Sequence, residues 1–285
     1  MQAHATDLSD APASALVRVI TYNTAVGNPQ ITTPQESFLD LPFYQETLWG
    51  EPGAAILALQ EVGPAQARAL SRRARGGPFR VLQISRPGQG NALVIPDRYE
   101  VLHSRRRYYL LSHLRGVRAG LREGAARRRR PDLRQFGELR MWIEARLRDR
   151  LSDRVFTVLN THISADSSLK LAQARRIVAV AHAAARRGPV VLAGDLNLKP
   201  GNPSPSDAKV AALLASLRDM GGATPSRRPR IDYVLALGFE PVSSRIWEGD
   251  SLQLPRQPDA ESISDHYAED DVLRFAEPGG RTGRT

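Results

Sequence analysis

The segment 190–197 limits the possible folds of this chain more than any other stretch, because an apolar run passes directly into polar residues. Residues 190–193 are apolar and predict a buried strand. Gly194 ends the run, and Asp195 and Asn197 follow at once. Alternate residues at a strand end point the same way, so this carboxylate and this carboxamide can face one cleft. Such a pair suits a site that positions a phosphate or a metal-bound water, although an Asx-rich turn after a core strand has the same pattern.

Five further apolar runs end in polar side chains in the same manner. Each run is short enough for a strand, and few helical patterns separate the runs. Many strands with few helices between them predict two packed sheets with helices on the outside. The five runs with their polar ends lie at residues 17–23, 55–61, 155–162, 231–235 and 264–266.

Taken in order, the six motifs resemble those of the endonuclease/exonuclease/phosphatase superfamily, which includes pancreatic deoxyribonuclease, abasic-site endonucleases, neutral sphingomyelinases and inositol-polyphosphate phosphatases. The resemblance spans residues 17–266, nearly the whole chain. It implies an α/β fold, a four-layer α/β sandwich of two packed, mostly antiparallel sheets flanked by helices, with the site at one edge of the sheets. The expected domain spans residues 16–276 and contains a basic loop at 105–137. A flexible tail at 1–15 precedes the domain, and a polar tail at 277–285 follows it.

The positive charge of the chain is concentrated in one segment. The net charge is +10, and residues 105–130 alone hold ten arginines and one acidic residue. Such clusters neutralise backbone phosphates without reading sequence, which favours nucleic acid as the partner. Tyr108 and Tyr109 are candidate base-stacking aromatics in the segment. A solvated basic arm that reflects arginine-rich coding is the alternative interpretation. The arginines predicted to contact nucleic acid are Arg127, Arg128, Arg129 and Arg130.

Composition excludes several classes of site. The chain contains no cysteine, which rules out disulfides, cysteine nucleophiles and thiolate metal sites. No apolar run reaches the roughly 18 residues that a membrane span needs, and the polar N-terminus lacks the apolar core of a secretory signal. We therefore expect a cytoplasmic protein without a membrane span, and no sequence feature predicts an obligate protein partner.

The resemblance implies a divalent-metal site, with Mg²⁺ or Mn²⁺ as the cofactor. Glu61 follows the apolar run 55–60 and is the expected metal ligand, since hard cations prefer carboxylate oxygens. Asn23 is expected beside Glu61, in the metal shell or at the phosphate, and Asp265 is expected as a further ligand or ligand-shell residue. Outside these motifs, each of the three residues would be interpreted as a turn or capping residue.

Two histidines occupy motifs and form the implied acid–base pair, because histidine titrates near neutral pH. His266 would activate the attacking water and be oriented by Asp232, while His162 would assist at the phosphate or the leaving group. The catalytic set is completed by Asp195 and Asn197, which would orient the water and the scissile phosphate.

Arg140 precedes an apolar strand, at the place of a phosphate-contacting arginine in the nucleases, so we expect Arg140 and Asn197 to bind the substrate phosphate. With 37 arginines in the chain, coincidence is the alternative. Two departures from the deoxyribonuclease branch stand out. Gly63 replaces an arginine that enters the DNA groove in that branch, and no second glutamate can be placed on the strand 92–95 to support His162.

These features predict a divalent-metal-dependent phosphodiester hydrolase, and the basic segment favours a nuclease acting on DNA or RNA. A phospholipid or inositol-phosphate phosphoesterase of the same fold is the alternative, because a basic loop also fits anionic headgroups. No exposed apolar wedge for a bilayer is evident in the sequence. A non-catalytic nucleic-acid-binding protein is a third hypothesis, and the intact set of polar motif residues argues against it.

Overall fold

Twelve strands form two six-stranded sheets in the part of the chain that the computed structural model describes, namely residues 16–25, 39, 41–49, 55–84, 90–110, 139–198, 203–221, 230–247, 252 and 266–277. The strands are β1 (Leu16–Asn23), β2 (Ile56–Val62), β3 (Phe79–Ile84), β4 (Gly90–Pro96), β5 (Tyr99–Tyr108), β6 (Met141–Asp149), β7 (Val155–His162), β8 (Val190–Asp195), β9 (Arg218–Asp219), β10 (Asp232–Leu237), β11 (Phe239–Trp247) and β12 (Ala268–Phe275). Their order is β11-β12-β1-β2-β4-β3 in the first sheet and β5-β6-β7-β8-β10-β9 in the second. Only the pairs β1–β2 and β7–β8 among these described strands are parallel, so both sheets are mostly antiparallel.

Helices cover the outer faces of both sheets. The first sheet packs against α1 (Pro42–Trp49) and α2 (Pro64–Ala74), and the second against α3 (Ser167–Ala185) and α4 (Pro205–Leu214). The layer order is therefore helices, sheet, sheet, helices, and the predicted four-layer α/β sandwich is confirmed. No helix within the described ranges combines the length and hydropathy needed to cross a membrane.

The strands at the centre of each sheet are buried on both faces, as β2 illustrates. Ile56 and Ala58 belong to the apolar core between the sheets, whereas Leu57 and Leu59 belong to the core beneath α1 and α2. Because successive side chains of a strand point to opposite faces, a strand with two buried faces is apolar throughout. This explains why continuous apolar runs, rather than alternating patterns, marked the central strands in the sequence.

The two parallel pairs bring polar strand ends to one edge of the sandwich. β1 and β2 end near Asn23 and Glu61, and β7 and β8 end at His162 and Asp195. β10 runs antiparallel to β8 and begins at the same edge, with Asp232 opposite Asp195. Residues from five separate motifs therefore converge because of strand direction alone.

The predicted basic loop over 105–137 begins later than expected. β5 continues through Tyr108 and pairs with β6 along its whole length, so residues 105–108 belong to a strand. β5 is an edge strand of the second sheet, where charged side chains are tolerated because they remain in water. Residues 111–138, the predicted tail at 1–15 and all of the predicted tail at 277–285 except Glu277 lie outside the described residues.

Arg98 connects the two sheets at the edge opposite these polar ends. Its guanidinium donates to both carboxylate oxygens of Asp149 at 2.8 and 2.7 Å, and to the carbonyl of Leu16 at 2.8 Å. Asp149 is fully buried and also accepts from Ser152 Oγ and the backbone N–H of Leu151. Burial alone would raise the pKa of Asp149, but the bonds from Arg98, Ser152 and Leu151 outweigh it and hold that pKa below its usual value.

Breaking this pair should destabilise the protein in a pH-dependent way. We expect Arg98→Met to lower the free energy of unfolding by about 2–3 kcal/mol, somewhat less than for a fully buried pair because Arg98 is partly exposed. The contribution of Asp149 should be complete above the ordinary aspartate pKa of 3.8 and decline as the pH falls through the lower folded-state pKa. Urea unfolding at several pH values measures both effects.

A matched control is the exposed pair Arg274–Glu240, whose atoms are also 2.8 Å apart. Arg274→Met should cost no more than about 1 kcal/mol, because solvent screens exposed pairs. Equal losses in the two variants would contradict the role given to Arg98.

Candidate functional site

Glu61 lies in a β-bulge near the end of β2. The register between β2 and β4 shifts between Leu59 and Val62, and Glu61 has a φ of 53°. A non-glycine residue held in this left-handed region costs on the order of 1–3 kcal/mol, and such residues cluster at functional sites. The carboxylate is partly buried and accepts a hydrogen bond from Asn23 Nδ2 at 3.3 Å.

Asn23 joins Glu61 to Asp195. Its Nδ2 also donates to Asp195 Oδ2 at 3.0 Å, while its Oδ1 accepts from the backbone N–H of Ala25 at 2.9 Å. Asn23 therefore lies beside Glu61 as the sequence predicted, but it presents donors to two carboxylates and turns its oxygen away from them. This geometry does not support Asn23 as a direct metal ligand.

His162 is buried between a cation, an amide and a carboxylate. Arg140 Nη1 lies 2.6 Å from Nδ1 and 2.8 Å from Nε2 of the ring, Asn197 Nδ2 lies 3.2 Å from Nε2, and Asp195 Oδ2 lies 3.3 Å from Nε2. Burial first, then the charges of Arg140 and His266, lower the pKa of His162 well below its usual value. The ring is therefore neutral in this arrangement.

Asp232 and His266 form a hydrogen-bonded dyad near Asp195. His266 Nδ1 lies 2.8 Å from Asp232 Oδ2, and His266 Nε2 lies 4.0 Å from Asp195 Oδ2. A carboxylate bound to one ring nitrogen sets the orientation and tautomer of the imidazole. Nε2 is thereby directed towards the side of the cleft that holds Asp195.

The site concentrates negative charge. Burial, followed by the nearby charge of Asp232, raises the pKa of Asp195 to about 7. Burial also raises the pKa of Glu61. One ligand atom from each of Asp195, Asp232 and His266 lies within 4.8 Å of the other two. Two carboxylates and one imidazole at this spacing could bind a divalent cation, and Glu61, the predicted metal ligand, is not one of these three residues.

Gly194 is required by the close approach of β7 to β8. Its φ is +148°, and a Cβ at this position would lie 1.9 Å from the carbonyl oxygen of Thr161. Any side chain would therefore push apart the two strands that carry His162 and Asp195. Asn197, which follows, also has a positive φ, of 49°.

Asn160 is a site-supporting residue that the sequence analysis missed. Its Nδ2 donates across the sandwich to the carbonyls of Leu59 at 2.9 Å and Ala92 at 2.8 Å, and its Oδ1 accepts from Gln60 Nε2 at 2.9 Å. Leu59 and Ala92 are register partners immediately before the bulge. Asn160 thus bonds carbonyls beside the irregular pairing that exposes Glu61. The available signal was an amide directly after the apolar residues Val158 and Leu159 in a buried strand.

The prediction that Tyr109 stacks on bases is wrong. Tyr109 is buried, its hydroxyl lies 2.7 Å from Thr161 Oγ1, and its ring packs against Trp142. Tyr108 is partly buried and packs against the core between the sheets. The backbone N–H of Tyr109 donates to the carbonyl of Arg140, so Tyr109 helps to hold the backbone of a predicted site residue. Other predicted site residues lie outside the described residues, namely Asp265, Arg127, Arg128, Arg129 and Arg130.

Gly63, where the deoxyribonuclease branch has an arginine, is the N-terminal cap of α2. Its backbone N–H donates to Gln66 Oε1 at 3.2 Å, and the same oxygen accepts from Thr24 Oγ1 at 3.0 Å. The first turn of α2 is thereby joined to the loop after β1. The position next to the Glu61 bulge therefore serves the helix start here.

Comparison with known proteins assigns the chain to a class. Residues 15–266 match the Endonuclease/Exonuclease/phosphatase family, and the protein belongs to this family. Structures of similar fold include a humanized TDP2 of D. rerio carrying 14 mutations, with a TM-score of 0.64 and 16% identity over 92% of this chain and 100% of that chain. D. rerio TDP2 complexed with a single-strand DNA product has a TM-score of 0.64 and 15% identity over 92% of this chain and 100% of that chain. An endonuclease/exonuclease/phosphatase from Bacteroides vulgatus is also similar, with a TM-score of 0.63 and 17% identity over 91% of this chain and 99% of that chain. No curated protein sequence gives a significant match.

Removing the amide bridge beneath the site should destabilise the sandwich non-additively. Asn160→Leu leaves the Leu59 and Ala92 carbonyls and the Gln60 amide without this partner, and we expect a loss of about 2–4 kcal/mol from several unsatisfied groups. Gln60→Leu should cost less. The double variant should cost clearly less than the sum of the two, because deleting both partners of a bond leaves neither unpaired. Unfolding midpoints of the four proteins give the coupling energy, and strict additivity would contradict a direct bridge.

Proposed function

We propose that the protein is a divalent-metal-dependent phosphodiester hydrolase that acts on nucleic acid. Members of its family are phosphoesterases that typically depend on divalent metal ions. The observation that carries the proposal is the Asp232–His266 dyad, bonded at 2.8 Å and directed at Asp195 beside Glu61. This set supplies a proton acceptor, an orienting carboxylate and a cation-binding carboxylate at one edge of the sandwich.

The proposed reaction is a direct attack of water on phosphorus. Asp195 holds the water near His266 Nε2, and His266 takes the proton while Asp232 stabilises the resulting imidazolium. The water oxygen forms a new bond to phosphorus as the P–O ester bond breaks, and the leaving oxygen takes a proton from a solvent water, while the His266 imidazolium returns its proton to solvent. Arg140 and Asn197 lie beside His162, and their N–H groups would bind phosphoryl oxygens. Arg140 Nη1 and Asn197 Nδ2 both lie within 3.2 Å of His162 nitrogens, and a neutral ring, which has one acceptor nitrogen, accepts from one of them, so the other can donate to phosphate.

Mg²⁺ or Mn²⁺ is the proposed cofactor. Glu61 and Asp195 would hold the ion, with Asp265 as a further proposed ligand. When bound, the ion would neutralise phosphoryl charge and lower the pKa of the attacking water. Its charge would also offset the repulsion that raises the pKa of Asp195.

The arginines of β5 support nucleic acid as the substrate class. Arg105 and Arg107 are exposed alternate residues of an edge strand, so their side chains lie on the same face, about 6.6 Å apart along the strand. The strand leads to Tyr109, which is bonded to Arg140 and Thr161 at the site. A polyanion whose scissile phosphate lies at Arg140 could extend along these positive charges. The D. rerio TDP2 structure with a single-strand DNA product shows that a protein of this fold can bind DNA.

Hydrolysis should require a divalent metal ion. The purified protein is incubated with Mg²⁺ or Mn²⁺ and, separately, with plasmid, single-stranded DNA, RNA, sphingomyelin and inositol phosphates. We expect cleavage of a nucleic acid that chelator abolishes and added metal restores. Full activity in excess chelator would refute metal dependence, and cleavage of only the lipid or the inositol phosphates would replace the proposed substrate.

A histidine pair controls for contaminating enzymes in this assay. His266→Ala should lower turnover by on the order of 10²-fold or more, the usual scale of acid–base assistance. His182→Ala should leave turnover unchanged, because His182 lies on α3 and contacts Ser216 rather than the site.

The β5 arginines should contribute to the binding of long nucleic acid. For Arg105→Ser/Arg107→Ser we expect weaker binding and a salt slope smaller by about 1.8, or roughly 0.9 for each lost contact with duplex phosphate. Hydrolysis of a small nitrophenyl phosphodiester should hardly change. The control is Arg80→Ser/Arg274→Ser, which removes two exposed strand arginines from the far end of the first sheet. If both double variants alter the salt slope equally, net charge rather than the β5 position is responsible.

A further inference from the structure

Lys170 is a buried lysine on α3 that contacts the loop after β8. It is only 3% exposed, and its Nζ lies 2.7 Å from the carbonyl oxygen of Asn197 and 2.6 Å from Asp207 Oδ1. Lysine is rarely this buried unless its ammonium is paired, because the charge must leave water. One of the two groups that satisfy this buried ammonium is therefore the backbone carbonyl of a proposed site residue, Asn197.

Asn197 needs to be held in place. Its φ of 49° is strained for a residue with a side chain. In this conformation its Nδ2 donates to the carbonyl of Ile163 at 2.9 Å and lies 3.2 Å from His162 Nε2. Its backbone N–H donates to Asp195 Oδ1 at 2.8 Å. Small rotations of this peptide would move the amide away from His162, so an external bond to its carbonyl fixes the site.

Asp207 anchors the other side of the ammonium. Its carboxylate accepts from the backbone N–H of Ser204 at 3.0 Å and from Ser204 Oγ at 2.7 Å, and Ser204 Oγ accepts from the backbone N–H of Asp207 in return. This reciprocal cap begins α4. Lys170 thus joins α3, the end of β8 and the start of α4 through one charged group.

Gln173, one turn along α3, holds the loop after β7. Its Oε1 accepts from the backbone N–H of Ser164 at 2.7 Å, two residues beyond His162. Residues three apart lie on the same face of a helix, so Lys170 and Gln173 present two buried polar groups together. One face of α3 therefore supports both loops that carry proposed site residues of the second sheet.

We propose that Lys170 is a positioning residue, whose ammonium fixes the Asn197 peptide and thereby the Asn197 amide against His162. Its effect on turnover rests on the proposed hydrolase function, whereas its effect on the loop does not. The ion pair with Asp207 orients the ammonium and is secondary to the bond with Asn197.

The test compares Lys170→Met with Asp207→Asn. Lys170→Met keeps the stem of the side chain and removes the ammonium, and we expect kcat to fall by about 10- to 100-fold, the scale of a misplaced site group. KM should rise as well, because Asn197 is one of the two residues proposed to bind phosphoryl oxygens. Asp207→Asn leaves the ammonium on Asn197 but removes its charge partner, so we expect a lower free energy of unfolding and a smaller loss of kcat than in Lys170→Met. Lys170→Arg, which retains a cationic donor, should recover part of kcat.

Amide hydrogen exchange provides a readout that does not require activity. The N–H groups of Leu196 and Asn197 donate to Ile231 and Asp195 in the wild type, and both should exchange faster in Lys170→Met than in Asp207→Asn. The N–H of Arg150, bonded to Arg98 at the far edge, should be unchanged in both variants. If the wild type hydrolyses none of the substrates, the proposed function fails while exchange still tests the contact.

Two results would overturn the proposal. One is a folded Lys170→Met protein with wild-type kcat or with unchanged exchange at Leu196 and Asn197. The other is an equal loss in Asp207→Asn, which would make the ion pair a structural element only. Should Lys170→Met fail to fold, Lys170→Met/Asp207→Asn removes the unpaired buried charge and is measured in the same way.

Discussion

The contact between Asn160 and the first sheet is the interaction on which the geometry of the site depends. A β-bulge disrupts the ladder at Glu61, and buried carbonyls beside it must find donors elsewhere. Asn160 supplies them from the opposite sheet, while Gln60 returns a donor to Asn160. The strained backbone that presents Glu61 is therefore stabilised by tertiary packing rather than by its own strand. Strand pairing places the residue at the edge, and contact between the sheets fixes its conformation.

Asn197 likewise has a strained backbone that is held by contacts from other elements. Both Glu61 and Asn197 have positive φ values, and both are bonded by side chains from other elements. Strain of this kind persists only where the surrounding structure over-determines it. A sandwich whose sheets are joined at one edge by Arg98 and near the other by Asn160 offers a rigid frame for such residues. The fold thus contributes to function by holding unfavourable local conformations.

The sequence predicted those parts of the fold and site that follow from strand direction, and it missed those that depend on packing between layers. Asp195 and His162 could be predicted as site residues because each is a polar residue at the end of a central strand that is otherwise mostly apolar. The arginine-rich end of β5 was predicted to be part of a loop, because an edge strand needs no apolar alternation by which it could be identified. Tyr109 was predicted to stack on bases because it lies in a basic segment, yet its ring packs against Trp142. Nothing local distinguishes Lys170 from a solvated helical lysine, because its burial arises from two loops that are distant in sequence.

Three buried carboxylates outside the site have arginine partners, unlike Glu61 and Asp195. Asp149 is bonded by Arg98, Asp270 by Arg18, and Glu269 by Arg230, so the chain itself neutralises each of them. Glu61 and Asp195 are bonded instead by the amide of Asn23, and the histidine between them is held neutral by burial. An amide satisfies hydrogen bonds without cancelling charge, so the negative potential at this edge is preserved for a ligand. Arginine partners are not general among the buried acids, because Asp271 is fully buried beside Ser244 and Glu269. The site also contains one cation, since the charge of Arg140 lowers the pKa of Glu61. The amide partner of Glu61 and Asp195 nevertheless leaves both carboxylates able to accept a cation, which supports the proposed metal site.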